Sequence, residues 1–316
     1  MTPLRRGFLL LASFLVCVAA APRQSPPQLP TFHSEASLVA LNVTVQDRAA
    51  KYVSGLKPED FAVYEDGVRQ DVRFCEAESV PVDLIVLLDT SASMTNKIML
   101  VREAADGFLK TLRPGDRGAV VAFSDNVDVL QPLTDDRQAL SRAVASISPQ
   151  GATSLYNAIY IALKSFGHTA RHNGDVRRQA IAVLSDGDDT TSLVSFDDVL
   201  GLARRMGVNI YTVGLQSPAE MKQAVEETGR RFLSEANFTM KTLSRETGAL
   251  SFFPTVIELK NVYGSIAQEL GHQYSIGYVP ANSHFDGRFR HVVVQVISRP
   301  ELRPRTRLGY TADGAL

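Results

Sequence analysis

The hydrophobic pattern changes twice along the chain. From Ser37 it alternates strictly, with Val39, Leu41, Val43 and Val45 on one face and Ala40, Asn42 and Thr44 on the other. That is the period of a half-buried strand. Phe61-Ala62-Val63-Tyr64-Glu65 reads as a second strand, closed by Asp66-Gly67, a pair that tolerates the positive φ angles of a tight hairpin turn. A third strand is expected from Gln70 to Phe74. Beyond residue 80 the pattern becomes uninterrupted aliphatic runs (Leu84 to Leu88, Gly118 to Phe123, Ala180 to Leu184, Val208 to Val213) separated by segments with apolar residues every three or four positions. Ile98, Val101, Ala105, Phe108 and Leu112 mark one helix. Leu140, Val144 and Ile147 mark a second, and Leu155, Ile159, Ala162, Leu163 and Phe166 a third. Ser195 and Asp198 form a capping-box start for a helix lined by Val199, Leu202 and Met206. Further helices are expected over 218–247 and from Glu258 to Leu270, the latter with Gly271 at its C-terminal end, with a last strand from Ala249 to Phe253.

Runs of this kind are strands buried on both faces, and their alternation with helices predicts an α/β fold with a doubly wound, mostly parallel, Rossmann-like sheet. Val127 to Leu130, just behind a turn at Ser124-Asp125-Asn126, is its expected antiparallel strand. After residue 272 alternation returns, in Tyr274, Ile276 and Tyr278, in Val292, Val294 and Val296, and in a final strand near Leu308-Gly309-Tyr310. Neither flank buries a face alone. The N-terminal strands (35–79) and C-terminal strands (272–316) are therefore expected to pair into one β-sandwich, with the α/β domain (80–271) inserted between them.

The chain has 316 residues, 45% of them hydrophobic, and a formal charge of −1, which argues against a general nucleic-acid binder. The Arg-rich tail from Arg299 to Arg307 reads as the solvated face of an edge strand. Arg5-Arg6, an apolar stretch from Phe8 to Val18 and Ala19-Ala20-Ala21 form a secretory leader (1–21), followed by a Pro- and Gln-rich unstructured spacer (22–34). A cut after Ala20 avoids placing Pro22 directly behind it; retention of the segment as an anchor is the alternative. The leader implies a secreted or periplasmic protein with no membrane span once it is removed. Only Cys75 then remains, too few for an intrachain disulfide.

The candidate chemistry begins where the first buried run stops. Leu84-Ile85-Val86-Leu87-Leu88 ends in Asp89-Thr90-Ser91-Ala92-Ser93, one carboxylate and two hydroxyls at the C-terminal edge of a strand, the edge at which open α/β sheets bind ligands. Oxygen-only, mostly neutral ligands suit a hard cation such as Mg²⁺ better than zinc or copper. The plain alternative is that Ser91 and Ser93 cap the following helix.

This Asp-x-Ser-x-Ser loop resembles the metal-ion-dependent adhesion site of the von Willebrand factor type A domain. The two further elements of that family follow in order: Gly151-Ala152-Thr153-Ser154-Leu155, a loop threonine before a helix, and Ala180-Ile181-Ala182-Val183-Leu184-Ser185-Asp186-Gly187, a second buried strand ending in aspartate. The resemblance implies a metal site of Asp89, Ser91, Ser93, Thr153 and Asp186, with Mg²⁺ as the ion and Mn²⁺ or Ca²⁺ as alternatives. The flanks, with Tyr274-Ser275-Ile276-Gly277-Tyr278 and Gly309-Tyr310, are similar to a bacterial, acidobacterial-type group of exported proteins related to that family.

Enzymatic readings find little. Leu88-Asp89-Thr90-Ser91 is similar to an aspartic-protease loop, but the second such loop needed to share a proton is missing. There is no Gly-x-Ser-x-Gly elbow either. Asp188 and Asp189 read as a solvated loop. The expected function is a non-enzymatic module that clamps an Asp or Glu of an extracytoplasmic protein or matrix ligand. The alternative is an accessory subunit in which the metal only fastens loops together.

Overall fold

A computed structural model describes residues 38–77, 80–169, 177–186, 189–215 and 235–313. The expected leader and spacer, Asp188, and the helix expected over 218–247 up to residue 234 lie outside the described residues. The chain begins with β1 (Val39–Gln46), β2 (Phe61–Glu65), β3 (Val68–Gln70) and β4 (Val72–Ala77). It continues through β5 (Val82–Asp89), α1 (Ile98–Lys110), β6 (Arg117–Phe123), β7 (Val127–Thr134), α2 (Arg137–Ser146), α3 (Leu155–Thr169) and β8 (Arg178–Ser185). Then come α4 (Phe196–Met206), β9 (Asn209–Gly214), α5 (Glu235–Glu246), β10 (Ser251–Phe252) and α6 (Leu259–Gly271). The last strands are β11 (Tyr274–Tyr278), β12 (Phe289–Val296), β13 (Arg303–Arg305) and β14 (Gly309–Thr311).

The aliphatic runs assemble a sheet of order β10-β9-β8-β5-β6-β7, parallel throughout except for β7. All of β5 is buried, which is why its sequence shows no alternation. Leu84, Val86 and Leu88 pack with α1, α2 and α6 on one face. Ile85 and Leu87 pack with α3, α4 and α5 on the other. Each such aliphatic side chain contributes about 1.5–3 kcal/mol on burial, so β5 offers a firmly fixed strand end on which a site could be built. From β5 the chain steps outward to β6 and later returns to β8 on the opposite side. This reversal opens a crevice beyond the C-terminal ends of β5 and β8.

The alternating flanks form two further sheets, β13-β1-β11-β4 and β14-β12-β2-β3. Val39, Leu41, Val43, Tyr274, Ile276 and Tyr278 of the first face Phe61, Val63, Val292, Val294 and Val296 of the second across a shared core. β1 pairs with β11 and β2 with β12, so each sheet joins a strand from either end of the chain. Asp66 (φ 47) and Gly67 (φ 81) make the expected turn.

Two local expectations are corrected. The strand predicted from Gln70 to Phe74 is two strands: β3 pairs with β2, while β4 crosses to pair with β11 in the other sheet. In the Arg-rich tail β13 is an edge strand and Arg299 and Arg303 are exposed, but two of its arginines are not given over to solvent. Arg305 bonds the buried Glu269, and Arg307 is buried with its guanidinium donating to the Ala40 carbonyl.

Candidate metal centre

Asp89, the last residue of β5, is wholly buried. One carboxylate oxygen accepts the Ser91 backbone N–H at 2.8 Å and the other the Ser185 hydroxyl at 2.5 Å. Burial pushes its carboxyl above the ordinary aspartate range, and the hydrogen bonds from Ser185 and Ser91 pull the other way. Behind it the chain turns through a single 3-10 turn, Ala92–Met94, whose Met94 is sunk in the core under the loop. This anchor holds Ser91 and Ser93 above the strand end. Their hydroxyl oxygens are 2.9 Å apart, and Ser93 donates to Asp186 Oδ1 at 2.7 Å. Since Ser93 gives its only hydroxyl proton to Asp186, the proton between the serines comes from Ser91. The Ser91 oxygen keeps its lone pairs free for a cation.

The structure thus brings Asp89, Ser91, Ser93 and Asp186 into one hydrogen-bonded chain. Thr153 lies on the neighbouring loop, which is tied to the serine loop through the backbone: Ala92 N–H donates to Gly151 O at 3.0 Å and Gln150 N–H to Thr90 O at 2.7 Å. Thr153 is buried, its N–H donates to Thr190 Oγ1 and its carbonyl accepts Thr190 and Thr191 N–H. Its hydroxyl makes no hydrogen bond to either serine or to Asp186. Of the two readings of the serines, capping is not what they do, since α1 is preceded by Lys97 and no side chain caps it.

Several neighbours were not visible as site residues in the sequence. Ser185 bonds Asp89. Asp125 accepts the Ala152 N–H at 3.0 Å and lies so close that a Cβ on Gly151 (φ +73) would fall 2.1 Å from its Oδ2, so a side chain there would have to displace the carboxylate and hold a strained left-handed backbone. Lys97 Nζ sits 2.5 Å from Asp186 Oδ2, with the two side chains 18% and 3% exposed. Asp189, expected to be solvated, instead accepts the Tyr156 N–H, and Ser192 accepts that of Asn157, so the next loop caps α3. The nearer capping candidate, Ser154, is left fully buried with its hydroxyl unpartnered among the described residues.

The donor set fits a hard cation: hydroxyl oxygens with free lone pairs and two carboxylates. Among the described residues no group of three or more His, Cys, Asp and Glu side chains gathers into a softer or more acidic site.

A sequence model of the von Willebrand factor type A domain matches residues 83–248. A protein of Mycobacterium marinum described as "UPF0353 protein" is 27% identical over 229 residues, covering 67% of both chains. Among solved structures, a von Willebrand factor type A protein from Catenulispora acidiphila superposes with a TM-score of 0.48 at 14% identity, over 75% of this chain and 51% of that one. Proximal thread matrix protein 1 of the mussel byssus, solved with a zinc-occupied metal-ion-dependent adhesion motif, gives 0.49 at 16% identity over 65% of this chain and 49% of that one. The chain spans about half the length of these two solved proteins. Among the described residues no helix is long and apolar enough to cross a membrane.

Proposed function

We infer a function from one premise: the chain belongs to the von Willebrand factor type A domain family. On that premise the reading is a non-enzymatic, metal-ion-dependent module that binds an extracytoplasmic protein or matrix ligand through an acidic side chain. The observation that carries it is the hydrogen-bonded run from Asp89 through Ser91 and Ser93 to Asp186 at the crevice beyond β5 and β8. Ser91, Ser93 and Thr153 would hold the ion with their hydroxyls, and Asp89 and Asp186 from behind with their carboxylates. Bound there, Mg²⁺ supplies an open coordination position for a partner's carboxylate. The chain's own part is to hold these oxygens still: Met94 anchors the serine loop, Ser185 and the Ser91 N–H fix Asp89, and Asp125 fixes the turn before Thr153.

The alternative, a metal that only fastens loops, is weakened by the direct bonds already joining them, Ala92 to Gly151, Gln150 to Thr90 and Ser93 to Asp186. The test has two parts. Mg²⁺ or Mn²⁺ at a hundredfold excess over its dissociation constant should stabilise the mature protein by about 2.7 kcal/mol, and Asp89→Ala should remove that gain. A wild-type melting temperature left unchanged by millimolar metal, in acetate as well as in chloride, refutes the site. Thr153→Ala should then weaken binding of an acidic partner while sparing the fold. Lost stability with intact affinity would return the fastening role.

A further inference from the structure

Lys97 is misplaced for its local structure. It occupies the N-cap position of α1, where Ser, Thr, Asp or Asn is favoured. Its positive charge also stands at the positive end of the helix dipole, with no acidic residue in the first turn to offset it. Nothing in α1 accounts for a lysine there. What accounts for it is Asp186, eighty-nine positions further on, whose Oδ2 its ammonium contacts at 2.5 Å while Ser93 donates to Oδ1. Asp186 therefore has both oxygens engaged by groups of the chain itself, in a place where Asp186 is almost fully shielded and Lys97 largely so.

We propose that Lys97 is a resident counter-cation of this site, which weakens binding of a divalent ion alone and makes that binding depend on an anionic ligand. This rests on the metal reading above. In the shielded part of the cluster Asp89 and Asp186 bring two negative charges and Lys97 returns one, leaving one net negative charge, while Asp125 is exposed and screened by solvent. A divalent ion reverses that to one net positive charge, whereas without Lys97 the loaded cluster would be neutral. In a shielded site salt screens this excess poorly, and like charges within one cluster repel strongly. A single carboxylate delivered by a partner cancels it. Lys97 thus explains why the ligand should be acidic without appealing to the open coordination position alone. It couples the two binding events: ion and acid each raise the affinity for the other by the same factor.

Mn²⁺ binding to the mature chain, followed by the electron paramagnetic resonance of the free ion, tests this with acetate as the carboxylate probe and chloride at matched ionic strength as the control. Wild type should bind Mn²⁺ more tightly in acetate than in chloride. Lys97→Gln, which keeps a donor for Asp186, should bind Mn²⁺ on the order of tenfold more tightly in chloride and lose most of the acetate gain. Lys97→Arg should behave as wild type. A Lys97→Gln protein with wild-type affinity and a wild-type acetate gain overturns the inference and leaves the metal reading standing. So does a wild type indifferent to acetate, a result that needs no variant to fold. Absence of Mn²⁺ binding in wild type and Lys97→Gln alike, in both salts and with native melting curves, overturns both.

Discussion

Replacing Glu269 by alanine should test how the α/β layers and the sandwich are held together. The carboxylate is fully buried on α6 and accepts hydrogen bonds from Tyr211 of β9 at 2.8 Å, Arg305 of β13 at 2.5 Å and Tyr52 at 3.4 Å. Without it, Arg305 keeps the Gly248 carbonyl as a partner. The wholly buried Tyr211 hydroxyl still accepts from Gln273 but has nowhere to donate. Breaking a buried ion pair from one side costs about 3–5 kcal/mol. Arg305 is 28% exposed, so the low end, about 3 kcal/mol, applies to it. The stranded hydroxyl adds about 1 kcal/mol or more. At about 2–4 °C per kcal/mol for a protein approaching this size, the melting temperature should fall by roughly 8–16 °C. Glu269→Gln keeps an acceptor for Tyr211 and removes only the charge, so about half that fall is expected. Scanning calorimetry of wild type and both variants measures this directly. A drop below about 2 °C for Glu269→Ala, less than 1 kcal/mol, would refute the idea that this carboxylate joins the layers.

Gly309→Ala should unpair β14 from β12, because the added Cβ would fall 2.0 Å from the Arg290 carbonyl oxygen and backbone cannot yield that far; faster exchange of the Val292 amide, which donates to the Leu308 carbonyl beside Gly309, is the readout, and unchanged protection counts against it. Stability should also decline in alkali. Burial pushes the Cys75 thiol from 9.0 up to about 11, and burial together with Glu269 pushes the Tyr52 hydroxyl from 10.0 up to about 12. Both groups ionise earlier in the unfolded chain, so their contribution is intact below about pH 9 and is lost as pH rises toward 12. Urea midpoints that stay level across that window would show that neither group titrates in this way.

The sequence disclosed what local chemistry determines. The run Leu84 to Leu88 could only be a strand buried on both sides, and the motif behind it lay on the edge where sheets of this kind bind. The pattern of Val39, Leu41, Val43 and Val45 named a buried face, and the alternation that returns after residue 272 marked the strands that share its core. What remained hidden was set by distant contacts. Asp71 interrupts an alternation that looks continuous, and only the pairing of β4 with β11 shows that the chain has changed sheets there. Lys97 reads as an ordinary surface lysine until Asp186 is seen beside it, and Asp125 as a turn residue until Gly151 closes on it. Asp189 caps a helix that begins thirty-odd positions earlier, a relation that no spacing rule for caps includes.

The pairing of β1 with β11 and of β2 with β12 also dictates an order of events as the chain folds. Val39 cannot meet Tyr278 until everything from β5 to α6 has been synthesised. During that interval the first strands have open edges and an uncovered apolar face, the condition in which chains aggregate. The α/β body, built from contacts closer in sequence, is placed to form first. Once folded, it holds its own two ends in fixed positions and replaces a long flexible loop by a rigid one, which removes most of the entropic cost of bringing the outer strands together. The sandwich then inherits its persistence from the body it encloses in sequence, and loosening the body would let the outer strands drift apart as well.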